Sequence, residues 1–550
     1  MGMRVLGINA IFHDPAAAIV ADGRVVAAAE EERFSRRKHG KRPVPFSAWE
    51  MPAAAARWCL HRAGLEPTQV DAVAYSYDPR LAELRLADPE DGWEELRTTY
   101  ARRAQRFLAA VLPGIEAARF EYVPHHVAHA ASAGLAAPYG VDGDADVLVL
   151  DGRGEAHSHL SGTYRDGRLT PHAAQELPHS LGLLYEELTE HLGFLRSSDE
   201  YKVMALAAHG TPRFLDVLRE RVRTTGDGGF RTEPIDWASL TKPRDPADDP
   251  TPDHADLAAG VQTRLEEVLL ELAADLHART GSRRLTMAGG VALNCVANSR
   301  LAAEGPYEDI WVQPAAGDAG TALGAALHVA AEAGEPAAPM PGAGLGREWS
   351  PAELAAWLDR AGVPYEKPAD LPATVAEALA EDGIVAWFQG RSEFGPRALG
   401  HRSLLAHPGH PHNLDRLNDV KGRERFRPIA PMVLREQADD LFDGPLPSPY
   451  MLFVHRVREA WRERIPAVVH TDGTARIQTV DRDEQPLLGG LLEEFRRRTG
   501  LPVVINTSLN TAGRPMADDP RDALEILGSA PVDLLAMGPY VVRKARVFRS

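Results

Sequence analysis

Two stretches of this chain, far apart in the sequence, open in the same way, and this recurrence limits the fold more than any other feature. Arg4-Val-Leu-Gly-Ile-Asn9 reads as a strand, a polar turn follows, and Ala16-Ala-Ala-Ile-Val20 reads as a second strand. Asp22-Gly23 is a hairpin signal, and Arg24-Val-Val-Ala-Ala-Ala29 makes a third strand. Near residue 147 the pattern returns. Asp146-Val-Leu-Val-Leu150 is an apolar strand, and the segments 160–164 and 168–170 flank a second hairpin signal at Asp166-Gly167. Helical patterns at 52–63, 257–280 and 321–331 alternate with strands at 70–75, 284–288 and 310–312. A duplicated α/β unit of this kind suits a two-lobed ATPase fold with a cleft between its lobes.

The segment Gly334 to Gly346 is rich in proline and glycine and reads as a linker. Beyond it a new α/β unit starts, with helices at 351–362 and 373–382 and strands at 384–388, 502–506 and 533–536. The expected domains are therefore 1–345 and 346–550. Residues 230–256, polar and with five prolines, read as a surface loop. A chain of 550 residues is too long for one core. Its 44% apolar and 25% charged content fits a globular protein. A formal charge of −17 argues against a surface that tracks nucleic acid. Two cysteines, Cys59 and Cys295, exclude a disulfide scaffold or a zinc ribbon and point to a reducing compartment. With no leader pattern and no apolar run of membrane-spanning length, the expected location is the cytoplasm, with no membrane partner.

The chemistry starts at Pro124-His125-His126-Val-Ala-His129. A proline suits a helix start, and on a helix His125 and His129 lie on one face, able to reach one metal ion. Asp151, in Leu150-Asp151-Gly152, and Asp318, in Gly317-Asp318-Ala-Gly320, are acidic residues in glycine-rich settings that suit a metal. His126, one residue off the shared face, is expected to be structural. Two glycine loops, Gly289-Gly290-Val-Ala-Leu-Asn294 and Gly317 to Gly320, follow strands and let backbone N–H groups approach an anionic or ribose-bearing ligand. Neither has the lysine of a phosphate-binding P-loop. His13, at the first strand-turn-strand corner, could take a proton from an attacking hydroxyl. Glu200 and Lys202, two apart on a helix, would not face each other.

A second site is expected in the C-terminal part. Between residues 391 and 427 seven Arg and one Lys stand against four Asp or Glu, a stretch of +4 inside an acidic chain. Arg397, Arg427 and Lys421 lie in it, Arg476 follows, and Asn506-Thr-Ser508-Leu-Asn510 adds hydrogen-bond donors. Guanidinium forks suit phosphate and carboxylate, so this reads as a pocket for a small anion.

Taken in order, Gly7 to Asp14, Glu30 to Phe34, His125 to Ala130, Asp151-Gly152, Glu200 to Met204, Gly289 to Asn294, Gly317 to Gly320, Glu393 to Gly400, Lys421 to Pro431 and Asn506 to Asn510 carry a likeness over nearly the whole chain. The chain resembles the O-carbamoyltransferases of the nodulation and antibiotic-biosynthesis type. The resemblance implies an actin/hexokinase/chaperone-type ATPase domain followed by a domain like threonylcarbamoyl-adenylate synthase, a twisted open sheet. It implies that carbamoyl phosphate and ATP react in the C-terminal pocket, bound by Arg397, Lys421, Arg427, Arg476, Ser508 and Asn510, to give carbamoyl-AMP. In the N-terminal domain His125, His129, Asp151 and Asp318 would hold a divalent metal, iron(II) being the expected ion, with Mg2+ able to accompany ATP. Gly289, Gly290, Asn294, Gly317 and Gly320 would border the nucleotide, and His13 would be the general base on a hydroxyl-bearing small-molecule acceptor, such as a natural product or sugar. Ala10-Ile-Phe before His13 and Ala207-Ala-His209 depart from the family pattern, which bears on acceptor contacts. A homodimer is the default assembly. The alternatives are a tRNA threonylcarbamoylation-type enzyme, which the acidic charge opposes, and an ATP-switch protein or sugar kinase, which would not need the arginine pocket. Hydrogenase-maturation carbamoylation would need zinc-finger segments that two cysteines cannot build.

Overall fold

The repeated pattern becomes two five-stranded sheets of the same topology. In the first, β1 (Arg4–Asn9), β2 (Ala16–Ala21) and β3 (Arg24–Glu30) are successive antiparallel neighbours. β4 (Ala72–Tyr75) runs parallel to β1, and β5 (Arg119–Tyr122) runs parallel to β4. The second sheet repeats this. β6 (Ala145–Leu150), β7 (His157–Arg165) and β8 (Arg168–Glu176) are antiparallel, while β9 (Arg284–Ala288) and β10 (Asp309–Val312) extend the other side of β6 in parallel. The orders are β3-β2-β1-β4-β5 and β8-β7-β6-β9-β10. This computed structural model describes residues 2–40, 51–83, 92–140 and 143–547, and the chain divides into two compact units, Met1–Gly342 and Ala343–Ser550. The division falls inside the segment 334–346 expected to be a linker.

Three helices position the chemistry of the first unit. α1 (His125–Gly134) follows β5, α2 (Pro252–Thr280) crosses the second half, and α3 (Ala319–Glu332) packs on α1, β1 and β2. α3 is rich in alanine and glycine, and the contacts it makes need them. A Cβ on Gly324 would sit 1.8 Å from the Ala128 carbonyl oxygen of α1, and one on Gly7 of β1 would sit 1.8 Å from the Ala322 carbonyl oxygen of α3. Backbone therefore meets backbone on both faces of the helix.

The sequence pattern erred locally. α2 begins at Pro252 rather than 257, because Thr251 and His254 form a reciprocal cap and Pro252 occupies the first turn. The segment 230–256 is accordingly not one loop: Phe230–Thr232 pairs with Val222–Thr224, and Trp237–Leu240 is a short helix. β7 and β8 are longer than expected and pair along nearly their full length. Among the described residues no helix is long and apolar enough to cross a membrane.

The second unit is built on one mixed sheet. Its strands are β11 (Val385–Phe388), β12 (Arg402–Ala406), β13 (Ala430–Leu434), β14 (Gln478–Val480), β15 (Val503–Ser508), β16 (Leu534–Met537) and β17 (Tyr540–Arg543). Their order is β14-β13-β15-β12-β11-β16-β17. Trp387, Phe388, Leu404, Val504 and Phe495 are buried in its core. Strands β12, β13, β14 and β17 escape sequence reading, the first three because they lie beside basic segments that read as a binding face.

If the close approach of α3 holds the first unit together, Gly324→Ala must push α3 off α1. The expected cost is about 1–3 kcal/mol, seen as a lowered midpoint in thermal or urea unfolding.

Candidate functional site

The first turn of α1 emerges from Pro124, and His125 and His129 are fully buried on the face toward β6 and α3. Asp151 directly follows β6, and Asp318 immediately precedes α3. These four residues, distant in sequence, meet. His125 Nε2 lies 3.5 Å from Asp151 Oδ2 and 3.5 Å from Asp318 Oδ1. His129 Nε2 lies 3.7 and 3.6 Å from the same oxygens. Such separations are too long for hydrogen bonds. They match the edges of a coordination shell, since ligand arms of about 2.1 Å in a tetrahedron stand about 3.4 Å apart. His125 Nε2, His129 Nε2 and both Asp318 carboxylate oxygens are buried and have no hydrogen-bond partner among the described residues. Leaving a buried polar atom unsatisfied costs about 1–3 kcal/mol, so a cation shared by all four would remove a large penalty. The set therefore fits a divalent metal.

Neighbouring groups hold the ligands in place. The carbonyl oxygen of Ser76 stands 3.2 Å from His125 Nδ1, which puts the proton there and turns Nε2 to the centre. The Gly290 N–H donates to Asp151 Oδ1 at 2.8 Å. Glu155 Oε1 accepts from the backbone N–H of His125 at 2.8 Å and of Asp78 at 2.7 Å. Burial raises the Asp151 carboxyl, but His125 and His129 outweigh it and hold it well below the usual range. Burial raises Asp318 too, and His13 with the two α1 histidines brings it down to about 2.

His13 borders this group. Its Nε2 lies 3.7 Å from Asp318 Oδ2, and its Nδ1 lies 2.9 Å from Asp14 Oδ2. Burial lowers its pKa, but the carboxylates of Asp318 and Asp14 outweigh that and raise it well above the usual value; a cation on Asp318 would offset the largest of these raising causes and favour the neutral ring, with Nε2 able to accept a proton. His126 is buried beside Gly154, where a Cβ would come within 2.6 Å of its Nδ1. Burial, with the charges of His125 and His129, pushes His126 well below its usual pKa, so it packs as a neutral ring. Glu200 accepts from the Ser197 N–H at 2.7 Å while Lys202 pairs with Asp199 at 3.0 Å, so the two do not pair with each other. Burial, with Glu186 adding to it, pushes the Glu200 carboxyl up to about 7.

The glycine loops do more for the fold than their pattern suggests. Gly289 has φ 91° and no room for a Cβ, which would sit 2.1 Å from the Leu150 carbonyl oxygen. At Gly320 a Cβ would sit 2.0 Å from the Ala315 carbonyl oxygen, whereas at Gly317 the nearest atom is 3.8 Å away. The Asn294 side chain caps Ala297 at 3.1 Å and exchanges hydrogen bonds with Gln262. Gly290 and Asn294 thus support Asp151 and a helix start with the groups a ligand would otherwise use.

In the second unit, strand register gathers the basic residues at one end of the sheet. Ser403 pairs with Ser508, Ala430 with Asn506, and Met432 with Gln478. The start of β12, the start of β13, the start of β14 and the end of β15 therefore lie together. Arg397, Arg427 and Arg476 precede the first three, and Ser508 and Asn510 end the fourth. Lys421 Nζ contacts Ser508 O at 2.6 Å, Ser508 Oγ at 2.8 Å and Asn510 Oδ1 at 2.6 Å. These oxygens are all neutral. Arg427 stands 3.7 Å from Glu424. The loop bearing Arg397 is pinned from below: Glu393 Oε1 accepts from the backbone N–H groups of Leu399, His401 and Arg402 at 2.7, 2.9 and 3.2 Å. Asn506 donates to the Ala398 carbonyl at 3.1 Å, and Gln478 donates to that of Leu399 at 2.8 Å. Arg402 is fully buried, donates to the Gln389 carbonyl at 2.7 Å and stacks on Phe388, so it is a structural arginine. Sequence reasoning missed Glu155 and Gln478, whose partners lie in other segments and leave no local pattern, and it gave no role to Glu393.

A family model described as Carbamoyltransferase N-terminus matches residues 4–327, and one described as Carbamoyltransferase C-terminus matches residues 376–544. The uncharacterized protein sll1178 of Synechocystis sp. is 36% identical, over 98% of this chain and 96% of its own length. Nodulation protein NolNO of Sinorhizobium fredii is 37% identical, over 98% of this chain and 80% of its own. Nodulation protein NolO of Bradyrhizobium diazoefficiens is 39% identical, over 76% of this chain and 78% of its own.

Competition against a chelator of known affinity measures the tetrad. The intact protein is expected to retain one divalent ion per chain, and His129→Ala to weaken its hold at least about 10–100-fold.

Proposed function

This chain belongs to the carbamoyltransferase family, and from that premise we propose that it is an ATP-dependent O-carbamoyltransferase working through carbamoyl-AMP. The observation that supports this most is the convergence of four buried metal-ligand atoms with a fifth residue, His13, whose Nε2 borders them. The basic end of the second sheet supplies the complementary half, a place for anionic phosphates.

On this reading Arg397, Lys421, Arg427, Arg476, Ser508 and Asn510 hold carbamoyl phosphate and ATP. Water attacks the carbamoyl carbon, the bond from that carbon to the phosphate oxygen breaks, and phosphate leaves carrying the proton that water gives up. A carboxylate oxygen of the resulting carbamate then attacks the α-phosphorus of ATP, and pyrophosphate departs. The product, carbamoyl-AMP, is a mixed anhydride that water destroys, so exclusion of water protects it.

Transfer belongs to the first unit. The acceptor hydroxyl gives its proton to His13 Nε2 as its oxygen bonds to the carbamoyl carbon. The bond from that carbon to the AMP oxygen breaks, and AMP leaves with the negative charge. His125, His129, Asp151 and Asp318 would hold a divalent cation, for which the family likeness suggests iron(II), and when bound it would supply positive charge for the departing phosphate. The loops at 289–294 and 317–320 border the nucleotide. The acceptor is a hydroxyl-bearing small molecule, a natural product or a sugar.

Two variants separate the half-reactions. Arg427→Ala is expected to abolish carbamoyl-phosphate-dependent exchange between ATP and labelled pyrophosphate, while sparing transfer from supplied carbamoyl-AMP. His13→Asn should do the reverse, keeping exchange and lowering transfer by about 10²–10⁴-fold. A protein that shows no carbamoyl-phosphate-dependent exchange would refute the adenylate route.

A further inference from the structure

The corner that carries His13 is held by more groups than a surface turn needs. Phe12 and Asp14 both take up positive φ, at 55° and 50°, a conformation uncommon for residues other than glycine. Asn9, fully buried at the end of β1, donates its side-chain amide to the carbonyls of His13 and Asp14, 3.0 Å each. The Asp14 N–H donates to the His39 carbonyl at 3.2 Å. His39 is also at positive φ, 59°, and its N–H donates to Glu32 Oε2 at 2.8 Å.

At the centre is the Asp14 carboxylate, shared by two imidazoles. One oxygen lies 2.9 Å from His13 Nδ1, and the other lies 2.9 Å from His39 Nδ1. An ionised carboxylate only accepts, so both Nδ1 atoms must be donors. Each oxygen is used once, which fixes the plane of the carboxylate and, through it, the plane of the His13 ring. Asp14, Glu32 and His39 also lie close enough together to suggest a metal. Their hydrogen bonds already use both oxygens of Asp14, one oxygen of Glu32 and His39 Nδ1, so positioning is the simpler account.

We propose that Asp14 and His39 are positioning residues for transfer: Asp14 fixes His13 as the tautomer with its proton on Nδ1 and its Nε2 turned to the tetrad, and His39 locks Asp14. This rests on the assignment of His13 as the base. A neutral ring with its proton on Nε2 has no lone pair to offer the acceptor hydroxyl, so the wrong tautomer costs rate and not binding. A serine-protease triad that loses its aspartate in this way drops about 10⁴-fold.

The test uses the full chain and supplied carbamoyl-AMP. Asp14→Asn is expected to lower kcat for transfer by about 10³–10⁴-fold, with the acceptor KM within about threefold and pyrophosphate exchange in the second unit unchanged. His39→Asn keeps a donor where Nδ1 was and tolerates positive φ, so it should retain transfer within about fivefold, whereas His39→Leu should lose about 10–100-fold. Nitrogen-15 spectra of histidine-labelled protein read the tautomer directly. The neutral His13 ring of the wild type should carry its proton on Nδ1, and that of Asp14→Asn on Nε2. A wild-type ring protonated on Nε2, an Asp14→Asn enzyme with unchanged kcat, or equal losses in the two His39 variants would overturn the proposal. If Asp14→Asn does not fold, the wild-type spectrum and the His39 pair decide. Should His13→Asn keep full transfer, the base assignment falls, while the spectra still report whether Asp14 sets the tautomer.

Discussion

The contact on which the first unit depends is the approach of one small-residue helix to another and to a strand, with no side chain between them. Gly324 lets α3 touch α1 at the Ala128 carbonyl, and Gly7 lets β1 touch α3 at the Ala322 carbonyl. The consequence is chemical as well as structural. His125 and His129 ride on α1, and Asp318 sits at the start of α3. A wider spacing between these helices would take the carboxylate out of reach of the imidazoles.

Electrostatics turns that packing into a site. The Asp318 carboxylate and two imidazoles, closed off from water, leave lone pairs that nothing among the described residues satisfies. Protein interiors tolerate such groups poorly, and a shared cation is the natural completion. The second unit applies the opposite sign. There a buried lysine rests on neutral oxygens of Ser508 and Asn510, and arginines gather at the same end of the sheet, an arrangement ready for anions. One chain thus carries a buried cluster that fits a cation, drawn from both sheets of the first unit, and a basic cluster suited to anions at one end of the sheet of the second.

How far the sequence alone reached differs between fold and site. The duplicated strand pattern was visible because Asp22-Gly23 and Asp166-Gly167 mark hairpins locally, and apolar runs mark the strands. The start of α2 and the strands β12, β13, β14 and β17 were not, because a cap or an apolar stretch beside charged residues leaves little periodic signal. The four ligand candidates could be named from residue type and setting. Their mutual distances depend on helix packing, which no local pattern encodes. The glycines at 289 and 320 looked like ligand loops, yet each lies where a Cβ would strike a carbonyl oxygen.

By itself, then, the amino-acid order determined that the chain alternates helix and strand, that a histidine pair shares one helical face, and that basic residues concentrate near the C-terminal part. Those are properties of spacing and composition. Only the tertiary structure decided which aspartates meet that pair, that Asp14 is shared by His13 and His39, and that Glu155, Glu393 and Gln478 hold the backbone around both sites. Apart from the local loop held by Glu393 and the adjacent pair His13 and Asp14, these contacts link segments separated along the chain, and such contacts exist only once burial and strand register have brought the segments together.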